Sequence, residues 1–118
     1  MDARQAVGRY GERVAVAHLE ADGMRVLDRN WRCGQGEIDV VAVDGDCLVV
    51  CEVKTRRSVA AGSPVEAVDP AKVARLRRLA AAWLAGQDRR FREVRLDVVA
   101  VHRPASGPAL VEHLRGVA

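Results

Sequence analysis

Two apolar runs constrain the chain more than anything else in it. Ile38-Asp39-Val40-Val41-Ala42-Val43 and Leu48-Val49-Val50-Cys51-Glu52-Val53 are separated only by Asp44-Gly45-Asp46-Cys47. Runs of this length, rich in β-branched residues and bounded by Gly and Asp, read as strands buried on both faces. Asp44-Gly45 is strong hairpin chemistry. The expectation is an antiparallel hairpin at the centre of a covered sheet. Asp39, Glu52 and the following Lys54 do not belong in such strands alone, because burying a lone charge is costly. They need each other, or a metal.

The register decides how closely they meet. A two-residue loop at Asp44-Gly45 sets Asp39 opposite Val50, with Glu52 diagonal to it. A loop at Gly45-Asp46 sets Asp39 directly opposite Glu52. Either way the two carboxylates share a face, roughly 5–8 Å apart. Glu37 and Lys54 join that face by the period-two alternation of strands, and the polar residues gather at the open end of the hairpin. A three-residue loop would break the alignment unless a bulge restored it.

The flanking segments supply helices and further strands. Residues 3–22 read as a helix with Val7, Gly8, Gly11, Ala15, Val16 and Leu19 on one broad face. Glu12 falls on that face too, and a carboxylate in an apolar stripe needs a partner. Gly23 ends the helix, and Met24–Leu27 begins a first strand. Residues 55–68 read as a loop containing Gly62 and Pro64. Asp69-Pro70 supplies an N-cap and a proline at the first helical position. Residues 70–85 follow as a helix with Val73, Leu76, Leu79, Ala80 and Trp83 facing the core. Glu93–His102 and Ala109–Leu114 read as the last strands. Helices flanking such strands imply an α/β sandwich, with a mixed sheet because its central hairpin is antiparallel.

A wider pattern links these pieces: Gly8, Gly11-Glu12, Asn30, Gly36-Glu37-Ile38-Asp39, Glu52-Val53-Lys54, Arg56, Lys72 and Asp97-Val98-Val99. Asp39 followed by Glu52-Val53-Lys54 resembles the PD-(D/E)xK nuclease motif. The full pattern, over about residues 5–102, resembles the YraN-type family of small bacterial endonuclease-like proteins, kin to archaeal Holliday-junction resolvases. The resemblance implies a restriction-endonuclease-like sandwich, with a helix packed on each side of the sheet. It also implies Asp39 and Glu52 as ligands of Mg²⁺ or Mn²⁺, the Val53 carbonyl as a further ligand, Lys54 as the catalytic lysine, and Glu12 as the helix glutamate that completes the site. Oxygen donors suit those ions. The role of Glu37 stays open. Arg56, Arg57 and Lys72 are candidate phosphate contacts. Lys72 stands in the first turn of its helix, where the dipole disfavours a cation. Branched or structured DNA enters as a substrate through the resolvase kinship alone, and a two-fold homodimer is expected if that role holds.

Other readings stay open. The acidic cluster can be an ion-pair network that fixes the hairpin, although buried ion pairs stabilise poorly compared with apolar packing. The chain can also be a non-catalytic nucleic-acid-binding module on a nuclease fold. Asp97 reads as structural, paired with a buried arginine or supporting the site. The region Arg75, Arg77, Arg78, Arg89, Arg90 and Arg92 reads as a solvated face, and Trp31 as a half-buried packing residue.

Size and charge set outer bounds. The 118 residues fit one domain, and a net charge of +3 permits nucleic-acid binding without demanding it. Neither a signal peptide nor a membrane-spanning run is visible, so a cytoplasmic protein is the default expectation. Cys33, Cys47 and Cys51 are odd in number and lack zinc-site spacing, and His18, His102 and His113 are scattered along the chain. Cys47 and Cys51 read as small core residues.

Overall fold

The computed structural model describes residues 3–57 and 68–117. Helix α1 (Ala3–Ala21) leads into β1 (Arg25–Cys33), β2 (Gly36–Asp44) and β3 (Cys47–Arg56); α2 (Pro70–Ala85), β4 (Glu93–His102) and β5 (Leu110–Leu114) follow. The five strands form one sheet in the order β1-β2-β3-β4-β5. β3 and β4 run parallel, while the other neighbours are antiparallel. This is the mixed sheet with a helix on each side that the sequence implies, a nuclease-like α/β sandwich. Among the described residues, no helix is long and apolar enough to cross a membrane.

Each helix buries one stripe against one face. Ala15 and Leu19 of α1 pack with Met24, Val40, Ala42, Val49, Cys51, Val99 and Val101. Leu76, Leu79, Ala80 and Trp83 of α2 pack on the other face with Ile38, Val41, Leu48, Val50 and Leu96. The central strands are therefore apolar on both sides, because both sides are covered. Trp83 also ties α2 to β1, its indole Nε1 donating to Asp28 Oδ2 at 3.2 Å. Trp31 packs partly buried against the α2-side core, as its sequence context suggests.

The ends of α1 and α2 follow local chemistry. Gly23, at φ 90°, closes α1, with Met24 N–H donating to Leu19 C=O and Gly23 N–H to Glu20 C=O, both at 3.0 Å. That is the six-to-one and five-to-two pattern of a left-handed glycine cap. The Asp69 side chain caps α2 by accepting from the Lys72 N–H at 2.8 Å, with Pro70 in the first turn.

Cys51 is fully buried and Cys47 partly so in the α1-side core. Burial pushes both thiols up, as expected of inert packing residues. Of the expected loop 55–68, residues 55–56 continue β3, while Ser58, Gly62 and Pro64 lie outside the described residues. The first strand, which begins at Arg25 within the expected Met24–Leu27 segment, runs on to Cys33. Its continuation, Asp28-Arg29-Asn30, is polar because β1 is an edge strand, so apolar patterning ends before the strand does.

Candidate active site

The hairpin turns on Gly45-Asp46. Asp44 pairs with Cys47, and the ladder runs up to Val40 opposite Cys51. One step further, Asp39 faces Glu52, the closer of the two registers. Gly45 takes φ 61° at the first turn position, the conformation that glycine adopts without steric cost.

The alternation of β2 breaks at Asp39. Val40 and Ala42 pack on the α1 side and Val41 on the α2 side, yet Ile38 also packs on the α2 side. Across the β1–β2 ladder, Arg29 pairs with Val40 and Trp31 with Ile38. The unpaired step between them holds Asn30 opposite Asp39. Asn30 has φ 51°, the one positive value among described non-glycine residues. Such a backbone is uncommon outside glycine, and Asn tolerates it best. In place of regular pairing, Asp39 Oδ2 accepts a hydrogen bond from the Val53 N–H at 2.8 Å. The carboxylate is thereby pinned at the mouth of the hairpin, beside Glu52.

Glu37, Asp39, Glu52, Val53, Lys54, Arg75 and Leu76 line one cleft of about 260 Å³. Burial, with the nearby charges of Glu12, Glu52 and Glu37, pushes the Asp39 carboxyl up to about 6 despite the bond from Val53. Glu52 is 8% exposed. Its Oε1 accepts from Arg75 at 3.3 Å. Its Oε2 lies 3.3 Å from Lys72 Nζ, within ion-pair reach, but receives no hydrogen bond. The two observations agree once distance and direction are separated: Lys72 neutralises the charge without satisfying the lone pairs. The Lys72 ammonium first, then burial, pull Lys54 below its ordinary value, against the opposing pull of Glu52 and Asp39.

These donors fit a hard divalent cation. A buried carboxylate oxygen without a hydrogen bond and a neighbouring carboxylate whose ionisation is penalised both gain from positive charge at the cleft. Asp39, Glu52 and the Val53 carbonyl are the residues able to hold it.

Glu12 approaches from the other layer. A Cβ on Gly11 would lie 1.7 Å from Thr55 Oγ1 and 2.8 Å from Thr55 Cβ. The missing side chain lets α1 press onto β3 one residue beyond Lys54. Glu12 then lines an adjoining cleft with Gly8, Asn30 and Glu37, and its charge acts on Asp39. Lys72, expected to contact phosphate, faces Glu52. That carboxylate answers the unfavourable dipole position without any external anion. Arg56 and Arg57 close β3 and the residue after it, outside the lining of the cleft.

Residues 11–101 match the uncharacterised protein family UPF0102. The chain belongs to this family. It is 66% identical over 116 residues to a UPF0102 protein of Kineococcus radiotolerans, covering 98% of this chain and 95% of that one. It is 62% identical to a UPF0102 protein of Beutenbergia cavernae, with 99% of each chain covered, and 56% identical to one of Arthrobacter sp., again with 99% of each covered. UPF0102 membership agrees with the YraN-type resemblance carried by Gly36-Glu37-Ile38-Asp39 and Glu52-Val53-Lys54.

Sequence reasoning assigned Arg75 to a solvated basic region, but the UPF0102 fold brings it to Glu52. The signal was present: Arg75 lies three residues after Lys72 and one before Leu76, on the stripe that α2 buries. His18 and His113, scattered in sequence, also meet, with ring nitrogens 3.1 Å apart. Only the α1–β5 juxtaposition brings them together, and no local spacing signals it.

Proposed function

We propose that this UPF0102 protein is a metal-dependent endonuclease that hydrolyses phosphodiester bonds in DNA, with branched or structured DNA as the favoured class. The observation that carries the proposal is the paired acidic site at the hairpin mouth. Asp39 is hard to ionise, Glu52 has a buried oxygen without a hydrogen bond, and Lys54 lies on the same strand two residues on. Asp39, Glu52 and the Val53 carbonyl would hold Mg²⁺ or Mn²⁺, with Glu12 adding negative charge from the adjoining cleft. When bound, that cation supplies Lewis-acid charge at the scissile phosphate.

The chain's own groups do the rest. Lys54, held below its ordinary value by Lys72 and by burial, is suited to orient the attacking water or to stabilise charge that develops on the phosphate. Lys72 and Arg75 neutralise Glu52 in the resting protein. They stand where a phosphate would compete for their charge, and donors already in place stabilise charge that develops in the transition state. Arg56 and Arg57 extend the cationic edge along the strand that carries Lys54.

The same Lys72 and Arg75 pairs also favour a second reading, in which the cluster only braces the fold and the protein binds nucleic acid without cutting it. Cleavage of labelled four-way, flap, single-stranded and linear duplex DNA with Mg²⁺ or Mn²⁺ separates the two. The nuclease reading expects cutting that Asp39→Ala and Lys54→Ala both abolish, with DNA binding retained. DNA binding by the wild type with no cutting of any of these substrates supports the second reading.

A further inference from the structure

A second cluster of ligand-type side chains, unused by the nuclease chemistry, gathers where the end of α1 meets β5. His18 Nε2 lies 3.1 Å from His113 Nδ1. Asp22 Oδ2 lies 3.8 Å from the first nitrogen and 3.9 Å from the second. The three ligand atoms thus converge on one point. His18 and Asp22 are four residues apart on the last turn of α1, fixed by the Gly23 cap. His113 comes from β5, opposite Val99 of β4.

The His113 ring is oriented as well as close. His113 Nε2 lies 2.7 Å from Asp97 Oδ2, and the Asp97 carboxylate is fully buried. An ionised carboxylate only accepts, so His113 Nε2 carries the hydrogen. Nδ1 of His113 is then the acceptor that meets the His18 Nε2–H, and a metal takes the place of that hydrogen once His18 carries its proton on Nδ1 instead. A carboxylate behind an imidazole is the usual outer support of a metal-ligating histidine, fixing its tautomer and raising its basicity.

We propose that His18, Asp22 and His113 form a transition-metal site, for Zn²⁺ or a similar borderline ion, that clips β5 to the end of α1. Two imidazole nitrogens and one carboxylate oxygen favour such an ion over Mg²⁺. Ligands about 2.0–2.1 Å from a tetrahedral zinc lie roughly 3.3 Å from one another. The nitrogen pair is already near that edge, and Asp22 needs to close by less than 1 Å from its present 3.8 and 3.9 Å. Asp22 is an exposed residue in the helix cap, free to make that movement. Arg115 pairs with the same Asp22 oxygen and is 47% exposed, so the ion displaces a solvated guanidinium. Three protein ligands leave one position for water. β5 has five residues and lies at the sheet edge, where a cross-link between elements stabilises most directly.

The test is calorimetric titration of the chelator-treated full chain with Zn²⁺ in excess Mg²⁺. It is paired with long-range proton–nitrogen NMR of the histidine rings. One Zn²⁺ per chain is expected, with His18 Nε2 and His113 Nδ1 shifting together. His18→Gln should weaken binding at least about tenfold, judged against the loss seen when even an outer supporting group is removed. Zinc binding that survives His18→Gln, or histidine nitrogens that do not move on titration, overturns the proposal. Gln is a good helix former at this half-exposed position, and if the variant misfolds the wild-type nitrogen shifts decide alone.

Discussion

Replacing Asp39 with Asn should stabilise the metal-free protein, and by an amount that depends on pH. The Asp39 carboxyl moves from 3.8 to about 6 on folding, chiefly through burial. At about 1.4 kcal/mol per pH unit, keeping it ionised in the fold costs about 3 kcal/mol. Below pH 3.8 the group is protonated in both states and the cost vanishes. Between 3.8 and 6 the unfolded chain releases its proton first, so stability falls as pH rises. Above 6 the full cost applies. Asn keeps an oxygen to accept the Val53 N–H and removes the charge. Urea unfolding should show Asp39→Asn more stable than wild type by about 2–3 kcal/mol at pH 8, and nearly equal to it at pH 3.5. At saturating Mn²⁺ the order should narrow or reverse, since an ion at 100 times its dissociation constant adds about 2.7 kcal/mol to wild type alone. A variant less stable than wild type at pH 8, or a gap independent of pH, would refute the reasoning.

Further outcomes follow from other contacts and from the same Asp39 carboxyl. Gly11→Ala should cost about 1–3 kcal/mol by overpacking against Thr55; thermal unfolding checks this, and a Thr55→Ala background should recover part of the loss. Asp97→Ala should cost about 3–5 kcal/mol, because it strips a buried ion-pair partner from Arg95, read by urea titration at pH 7. Burial would raise Asp97, but Arg95, His113 and the Gly116 N–H together hold it below its ordinary value. Its stabilisation is therefore present above pH 3.8 and lost as pH falls through the lowered value, and an Asp97→Asn variant should show a flatter acid limb in unfolding. Cleavage at limiting Mn²⁺ should rise as pH passes about 6 with Asp39 ionisation, and Asp39→Asn should lack that limb in Mn²⁺ binding measured by calorimetry.

The sequence made the meeting of Asp39, Glu52 and Lys54 legible and the mechanics of that meeting much less so. The β-branched runs either side of Asp44-Gly45 specify the hairpin, and Asp69-Pro70 specifies the start of α2, because each is a local choice of backbone. Gly8, Gly11 and Ala15 give α1 a small-residue face that permits close approach to the sheet, though which residue Gly11 meets depends on tertiary approach. Period-two alternation correctly grouped Asp39 with Glu52, but through a regular strand. The fold achieves the grouping with a left-handed Asn30 and a break at Asp39, which no periodicity encodes. Lys72 carried a readable anomaly, a cation at the positive end of a helix, and the fold resolves it with Glu52. His18 and His113 are 95 residues apart, and only the packing of α1 against the β5 edge makes them neighbours.

The protein holds two acidic residues on the strands either side of β3 and treats them oppositely. Asp97 is fully buried yet meets Arg95 at two oxygens, His113 at 2.7 Å and the Gly116 N–H at 3.1 Å, so its charge is welcome. Asp39 is less buried but receives one backbone hydrogen bond and sits among Glu12, Glu37 and Glu52, so its charge is resisted. A fold able to assemble three donors around Asp97 is not short of ways to satisfy a carboxylate. Leaving Asp39 short of partners sacrifices stability, and such penalties persist where the strained group has work to do. Glu52 carries the same signature, with cations at both oxygens but a hydrogen bond at only one. A purely structural ion-pair network would show the Asp97 pattern at all three acids. The contrast between them separates a cleft at Asp39 and Glu52 whose negative charge is left short of partners from an Asp97 cluster that braces the frame around it.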